Sequence, residues 1–344
     1  MKTTAPDILT LLRMRQDQDL WDDHPIISAR AVLPTGPMGA AIPLMIEQGR
    51  KQRGCIAFWA HPFTGKSSCI RALEAELRKR FPGCGIVLHE AKSNTVIAEG
   101  TFIADILHTL QYEGKIRYSL AEKREQIRRA LFAVGAERRH VVFVIDEAQE
   151  LAEQEFRWLK EQGNWLTKKG YKITVILFGQ QELMTVRDEL IGTGRSDLAG
   201  RFFAHMFEYE AIKQSKDLAP FLAACDEESE YPEGTGWCYT RFLWPSAYDS
   251  GLRLLKQAQP FFQAFAQVSP QQTGEQGIAM NYIADSLACL ADMTRARDTT
   301  HFEPTVEDWM AAIERAGYAD RDPLVRKPER KLPKVSKLRA QVDA

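Results

Sequence analysis

The sequence predicts an α/β fold in which helices cover both faces of a parallel sheet and a smaller helical region follows. Two observations predict it: short apolar runs alternate with stretches of helical spacing as far as about residue 210, and only helical spacing continues beyond that point. Strands that alternate with helices are typical of a parallel sheet with helical crossovers. The 44% hydrophobic content supplies the core that such a fold needs.

Four apolar runs are predicted as buried strands, because a sheet covered on both faces needs apolar residues throughout. They are Cys55–Trp59, Gly85–His89, His140–Ile145 and Ile173–Phe178. In the same region helical spacing predicts helices at Ala40–Arg50, Lys66–Arg80, Ala98–Leu110 and Leu120–Val134. The later helices are predicted at Asp217–Ala224, Gly251–Phe265, Gly277–Arg297 and Thr305–Ala316. Ala31–Gly39 is rich in Pro and Gly and is predicted as a loop.

The same patterns suggest domain boundaries. We expect an N-terminal arm at residues 1–30, an α/β core at 31–210, a helical lid at 211–320 and a tail at 321–344. The arm is polar, which favours a frayed end or a short docking helix, with a partner-binding arm as the alternative. Residues 225–250 of the lid combine Pro, Gly and aromatic residues, and both a contact surface and a packed loop remain open for them.

The charge balance excludes a strongly basic protein that coats nucleic acid. The chain has 45 Lys+Arg against 46 Asp+Glu; residues 321–344 hold eight basic and three acidic residues, which leaves 37 against 43 in residues 1–320. A basic tail therefore follows a mildly acidic body. Binding to nucleic acid through a local basic surface stays open.

The six cysteines form no CxxC pair and have no cluster of histidines around them, which argues against zinc. The N-terminus has no apolar segment of signal-peptide type, and no run of about 18 apolar residues occurs. The sequence therefore predicts a soluble, cytoplasmic protein with reduced thiols and no membrane contact.

The most informative segment is Ala60-His-Pro-Phe-Thr-Gly-Lys-Ser67, between a predicted strand and a predicted helix. It fits the phosphate-loop pattern GxxxxGK[ST] except that Ala60 replaces the first glycine. Gly65 would let the backbone approach phosphates, Lys66 would reach the β- and γ-phosphates, and the Ser67 hydroxyl would ligate Mg²⁺. The predicted nucleotide-binding residues of this loop are His61, Pro62, Phe63, Thr64, Gly65, Lys66, Ser67 and Ser68.

A second acidic element, VVFVIDE, ends at Glu147, and its Asp146 lies 80 residues after Lys66. Carboxylates at the carboxyl ends of parallel strands face the ligand crevice of such sheets. We expect Asp146 to hold Mg²⁺ and Glu147 to activate the attacking water as a general base. Together with the loop at Lys66, this order predicts a site for ATP and Mg²⁺.

The fourth predicted strand leads into Gln180 and Gln181. A polar side chain there would lie beside the acidic strand near the γ-phosphate, and Gln180 is the first choice. Arg195 and Arg201 follow 15 and 21 residues after Gln180, and an arginine in this region could stabilise transition-state charge at a neighbouring subunit's nucleotide. A surface arginine that pairs with Asp197 is the alternative.

The order of these motifs resembles that of AAA+ ATPases, and more closely the TniB/TnsC group of bacterial transposition regulators, related to MuB. The resemblance extends from about Val32 to Ala316. Its characteristic stretches are AHPFTGKS, GIVLHEAKSNTVIAEGTFIADIL, VVFVIDEAQEL, LFGQQEL and LAGRFFAHMFEYEAI.

The resemblance implies an AAA+ (P-loop NTPase) core with a helical lid and a Mg²⁺-dependent ATPase that yields ADP and phosphate. Members of this group assemble as rings or helical filaments on duplex DNA, hand a target site to a transposase and disassemble on hydrolysis; some act with CRISPR effectors or other target selectors. The implied catalytic residues are Lys66, Glu147, Gln180 at the sensor position and Arg201 as the trans-acting finger. An ATPase of a secretion-type machine that acts without DNA is the alternative, because such proteins share a similar fourth strand.

Contacts to DNA are expected from basic loop residues that bind phosphates without reading bases. Lys115 and Arg117, in a short loop before a helix that begins after Ser119, are the first choice. Lys92 and Thr95, after the second strand, come next, and Lys168 and Lys169 are third.

Overall fold

The computed structural model describes residues 8–52, 54–270, 273 and 277–319. The basic tail predicted at 321–344 lies outside these residues. In the part of the chain that is described, no helix has the length and apolar character needed to cross a bilayer.

Five parallel strands form one sheet in the order β2-β3-β4-β1-β5, which confirms the predicted fold class. The strands are β1 Cys55–Ala60, β2 Gly85–Glu90, β3 His140–Asp146, β4 Lys172–Gln180 and β5 Met206–Glu208. The four predicted strands all form, one or more residues longer than expected. The short edge strand β5 was not predicted, because three residues are too few to show a periodic pattern.

Helices pack on both faces of the sheet, and alternate strand residues point to opposite faces. These helices and the two that precede them are α1 Ile8–Gln16, α2 Gln18–Asp22, α3 Gly36–Lys51, α4 Lys66–Arg80, α5 Glu99–Thr109, α6 Leu120–Val134, α7 Glu153–Lys168, α8 Glu182–Gly192 and α9 Ser196–Phe202. Ile56 and Phe58 of β1 pack with α3 and α4, whereas Cys55 and Ala57 pack toward the other face with α5 to α9.

Helix α3 begins earlier than predicted. Its first turn contains Gly36 and Pro37, which the sequence analysis placed in a loop. Thr35 caps the helix, because its hydroxyl accepts a hydrogen bond from the backbone N–H of Met38 at 3.3 Å. Proline is tolerated at this point because the first backbone N–H groups of a helix have no partner within the helix.

Beyond β5 the chain forms a helical region with its own apolar core. Its helices are α10 Ser215–Glu227, α11 Tyr239–Leu243, α12 Pro245–Asp249, α13 Ala258–Val268, α14 Met280–Thr294 and α15 Val306–Arg315. Trp309 stacks on Phe261 with ring centroids 3.9 Å apart. Within residues 225–250, Trp237, Phe242 and Trp244 are buried in this core, so packing accounts for the aromatic residues of that stretch.

The described part of the N-terminal segment, residues 8–30, docks on the same helical region, which fits the docking helix rather than the frayed end. Trp21 is 1% exposed, and its indole N–H donates to Asp292 Oδ1 at 2.8 Å. Arg15 donates to the backbone carbonyl of Leu243 at 2.8 Å. A few large side chains therefore anchor an otherwise polar segment.

Candidate nucleotide site

The predicted phosphate loop joins β1 to α4 at the carboxyl edge of the sheet. Ala60 is buried, ends β1 and pairs with Gln180, so the residue that replaces the first glycine keeps an extended backbone. Gly65 has φ +95°, a conformation that favours glycine, and a Cβ there would come within 3.3 Å of Met280. Ala60, which departs from the glycine pattern, therefore lies where a side chain is tolerated. Gly65, which keeps the pattern, lies where a side chain is not.

Lys66 opens α4 and is 8% exposed. Its Nζ lies 3.3 Å from Glu147 Oε1, which joins the first residue of the helix to the residue after β3. In the loop itself, the Thr64 hydroxyl donates to the His61 carbonyl at 2.9 Å. The two sequence motifs that are separated by 80 residues thus meet in one ion pair.

Asp146 and Glu147 follow each other at the carboxyl end of β3 but differ in their surroundings. Asp146 accepts a hydrogen bond from the Glu147 backbone N–H at 2.9 Å, and burial raises the pKa of its carboxyl. Burial also acts to raise the pKa of Glu147, but the hydrogen bond from Gln149 and the charge of Lys66 outweigh it and hold this pKa below its ordinary value. Glu147 is therefore ionised near neutral pH, as a general base must be.

Gln180 lies at the end of β4, next to β3 in the sheet. Its side-chain amide donates to Glu147 Oε2 at 3.2 Å, so it lies beside the acidic end of β3, and its place near a γ-phosphate stays a prediction. Gln181 is exposed and does not line the cavity described next. Gln149, which the sequence analysis did not single out, donates to the same Oε2 at 2.5 Å.

A cavity of about 440 Å³ lies over these residues, within the size range of small-molecule sites. Pro62, Phe63, Gly65, Lys66, Ser67, Ser68, Glu147 and Gln180 line one side of it. The other side was not predicted: it comes from the docked N-terminal segment, α3, α10 and the start of α14. These residues are Pro25, Ile26, Ala29, Ala31, Leu33, Thr35, Met38, Phe221, Met280, Asn281, Ala284 and Asp285.

The cavity lining combines apolar side chains such as Ile26, Leu33 and Met38 with the charged side chains of Lys66, Glu147 and Asp285. The apolar side chains have the chemistry to contact a planar base, and the loop at Lys66 has the chemistry to hold phosphates. Among the described residues that line it, Lys66 is the only basic side chain. Asp285 adds a carboxylate whose pKa burial raises.

The residues present fit Mg²⁺ as part of a nucleotide complex. Ser67 lines the cavity and Asp146 ends the strand that leads into it, and both offer the oxygen ligands that Mg²⁺ takes. Within the described residues no group of three or more His, Cys, Asp or Glu side chains could hold a metal alone. Phosphate oxygens and water would therefore complete the coordination of an ion held by Ser67 and Asp146.

Neither candidate arginine lines the cavity of its own chain. Arg195 pairs with Glu153 at 2.6 Å and with Asp197 at 3.1 Å. Arg201 is half-buried and donates to Asn164 Oδ1 at 2.9 Å, and burial lowers the pKa of its guanidinium. Each arginine therefore contacts residues of its own chain and lies outside the cavity of that chain.

The predicted DNA-contact residues lie on two exposed loops. Lys115 and Arg117 precede α6, Lys92 and Thr95 precede α5, and all four are exposed. None of the three cations has an ion pair in the described part of the chain. The beginnings of the two helices are joined, since Arg124 pairs with Glu99 at 2.5 Å.

Comparisons with known proteins bear on this geometry. A family model described as an AAA domain matches residues 49–186, which include the loop at Lys66, the Asp146–Glu147 pair and Gln180. No curated protein matches the sequence.

Among solved structures, the chain is similar to the ORC2 protein of Aeropyrum pernix in its ADPNP–ADP complexes, with 11% identity, 88% of this chain and 72% of that chain covered, and a TM-score of 0.55. The ADP form of the same protein is 14% identical, with 80% of this chain and 67% of that chain covered and a TM-score of 0.51. Identities this low inform on the fold alone. The parallel five-stranded sheet, its flanking helices and the loop at Lys66 form an AAA+ P-loop NTPase fold.

Proposed function

We propose that this protein is an ATP-dependent regulator of DNA transposition. It oligomerises on duplex DNA, links target-site selection to a transposase and disassembles when ATP is hydrolysed. The observation that carries the nucleotide part is the convergence of Lys66, Glu147 and Gln180 on one cavity. The resemblance of five sequence stretches to the TniB/TnsC group supports the part that concerns transposition.

The cavity residues have the chemistry for hydrolysis. Lys66 would offset the charge of the β- and γ-phosphates, and Ser67 with Asp146 would hold Mg²⁺, which when bound stabilises negative charge on the phosphate oxygens. Glu147 would accept a proton from the attacking water, and Gln180 would orient that carboxylate. Because Lys66 is paired with Glu147 at 3.3 Å, phosphate binding must draw Lys66 away and thereby release Glu147 Oε1.

The shortage of positive charge in the cavity supports the proposal that subunits assemble. A nucleoside triphosphate carries several negative charges, but one basic side chain of the described residues lines the cavity. A second cation from a neighbouring subunit would supply what the single chain lacks, and Arg201 is our first choice, with Arg195 as the alternative. A head-to-tail contact of this kind either closes into a ring or continues as a helical filament.

Contact with duplex DNA is assigned to Lys115, Arg117, Lys92 and Thr95. Their exposure leaves them available for phosphates, and such contacts do not read bases, so we expect sequence-tolerant binding. Tyr118, 89% exposed beside Lys115, adds an apolar contact to the same loop. A few contacts per subunit suffice when the subunits are repeated along the duplex.

The partners implied by this proposal are a transposase and a target selector, which in some relatives of the TniB/TnsC type is a CRISPR effector complex. These partners rest on the sequence resemblance.

Electron microscopy with duplex DNA, with and without ATP, tests the proposal. We expect rings or filaments that require both DNA and ATP. Lys66→Ala should prevent assembly because the phosphates lose their cation, and Glu147→Gln should accumulate assembled protein because binding persists while hydrolysis fails. If only monomers were observed under every nucleotide condition, the proposal would be contradicted. Assembly with ATP but without any effect of DNA would favour the secretion-type machine, with which the stretch after Phe178 is also compatible.

A further inference from the structure

Gln149 occupies a position between the ends of two neighbouring strands. It lies in a short 3₁₀ turn, Ala148–Glu150, directly after β3. Its side-chain N–H donates to Glu147 Oε2 at 2.5 Å, and its side-chain carbonyl accepts from the Gln180 backbone N–H at 2.9 Å. One amide therefore joins the candidate base to the strand that carries the candidate sensor.

The backbone of β4 leaves room for this amide at Gly179. A Cβ added to Gly179 would lie 2.7 Å from Gln149 Oε1, closer than real Cβ contacts come. Gly179 pairs with Trp59 in the middle of the sheet and has no positive φ, so the backbone conformation does not require glycine there. A side chain at this position would force the Gln149 amide to shift from its present place.

The two oxygens of Glu147 have different partners. Oε1 faces Lys66 at 3.3 Å, whereas Oε2 accepts from Gln149 and from Gln180. When phosphates draw Lys66 away, Oε1 loses its only partner among these three side chains. The contact from Gln149 to Oε2 involves neither Lys66 nor a predicted phosphate-binding residue and would remain.

We propose that Gln149 is a positioning residue for hydrolysis: it holds Glu147 by Oε2 so that Oε1 faces the attacking water once Lys66 has moved to the phosphates. This inference rests on the proposed ATPase function. It predicts that without the amide the carboxylate turns away from the water, which slows proton transfer.

Gln149→Met tests this in the full-length chain, because methionine keeps the length of the side chain and removes both hydrogen bonds. We expect kcat to fall by about 10- to 100-fold with KM and the affinity for ATP little changed, since a misplaced base affects the chemical step. Gln263→Met, at an exposed position of α13, is the matched control and should leave kcat and KM unchanged.

Two further variants separate positioning from a loss of folding. Gln149→Glu keeps the size but replaces the donating amide with a second carboxylate that repels Glu147, so kcat should fall at least as far as in Gln149→Met while KM changes little. Gly179→Ala should displace the Gln149 amide without removing it and so reproduce the kinetic defect of Gln149→Met. Circular dichroism and ATP affinity identify any variant that is unfolded.

The outcomes discriminate between the inference and the function on which it rests. An unchanged kcat in folded Gln149→Met, or a fall in kcat accompanied by an equal loss of ATP affinity, would overturn the positioning role while ATP hydrolysis by the wild type stands. A folded wild-type chain that binds ATP but shows no hydrolysis with DNA and Mg²⁺ would overturn both.

Discussion

Glu147 shows how much of the candidate site depends on one residue. Its backbone has φ +49°, a left-handed conformation that costs a non-glycine residue energy of order 1 kcal/mol. Its carboxylate meets Lys66, Gln149 and Gln180 from three different elements. Strained backbone held by several partners is typical of functional sites, and here it points the carboxylate toward the cavity.

A second residue-scale feature concerns stability. His24 is fully buried among the rings of Tyr231, Tyr239 and Phe242. Its Nδ1 accepts from the Ile26 backbone N–H at 3.2 Å, and its Nε2 has no partner among the described residues. Burial lowers the pKa of this imidazole from 6.5 to about 3.

This pKa predicts a loss of stability in mild acid. The unfolded chain takes up a proton at His24 below pH 6.5, whereas the folded chain resists until about pH 3, so stability falls across that window as the pH falls. Between neutral pH and pH 5 this residue should lower the free energy of unfolding by about 2 kcal/mol. Urea unfolding at the two pH values measures it. His24→Phe, which keeps the aromatic packing, should remove that part of the pH dependence; an identical pH dependence in the variant would contradict the assignment.

At the scale of elements, the first turns of α5 and α6 determine where the two candidate DNA loops lie. Ser119 caps α6, since its hydroxyl accepts from the Glu122 backbone N–H at 3.3 Å. Lys123, one residue further, donates to the Gly100 carbonyl at 3.1 Å and so joins the first turn of α6 to that of α5. Each loop immediately precedes one of these turns, so both emerge on the same side of the molecule. Strand β2 lies three strands away from β1 in the sheet. At the usual strand spacing, the end of β2 is therefore about 14 Å from the end of β1, where the phosphate loop begins.

The salt dependence of DNA binding checks this assignment. Replacement of Lys115 and Arg117 with Ala should weaken binding to any duplex sequence and reduce the slope of log affinity against log salt by about 1.8 per bound subunit, because two phosphate contacts are lost. Tyr118→Ala should weaken binding without changing that slope, since tyrosine carries no charge. Fluorescence anisotropy over a salt series measures both.

A matched control comes from the opposite edge of the sheet. Arg138 and Arg139 are exposed and directly precede the first residue of β3, and their replacement removes the same charge from the amino edge. We expect a smaller change of slope there. Equal changes at the two edges would show that net charge, and not these loops, governs binding.

At the scale of the whole molecule, the proposed second cation requires Arg201 to reach the cavity of a neighbouring chain. Within its own chain Arg201 lies against α7, because one of its guanidinium nitrogens lies 3.0 Å from the place of a Cβ at Gly163. The phosphate loop follows the carboxyl end of β1. A head-to-tail assembly brings unlike faces of neighbouring subunits together, which a single chain cannot do.

Mixed assemblies test whether the arginine acts in trans. Arg201→Ala and Glu147→Gln should each lower hydrolysis by at least about 10³-fold when pure. An equimolar mixture should recover about one quarter of wild-type activity, because that share of random interfaces combines an intact Glu147 with an intact Arg201. The same mixture with Arg195→Ala decides between the two arginines, and exposed Arg157→Ala is the control. No recovery in either mixture would rule out a trans-acting arginine at both positions.

Short segments of the sequence were enough to predict the strands, the phosphate loop and the acidic strand end. Apolar runs predicted four of the five described strands. Residue type and order alone predicted a phosphate loop at Gly65 and Lys66 and an acidic strand end at Asp146 and Glu147. This succeeds because a buried strand needs continuous apolar residues and a phosphate loop needs a glycine before its lysine. Helix α4 was predicted with the bounds that the structure has.

Tertiary structure alone decided which distant residues meet. Trp21 reaches Asp292 across 271 positions, and through this docking the N-terminal segment becomes a wall of the nucleotide cavity. Gln149 becomes a partner of Glu147 only because β3 and β4 are neighbours and Gly179 leaves it space. Such contacts have no local periodicity, because they follow from how complete elements pack, and the free energy that selects them comes from burial shared by many residues rather than from any one window of sequence.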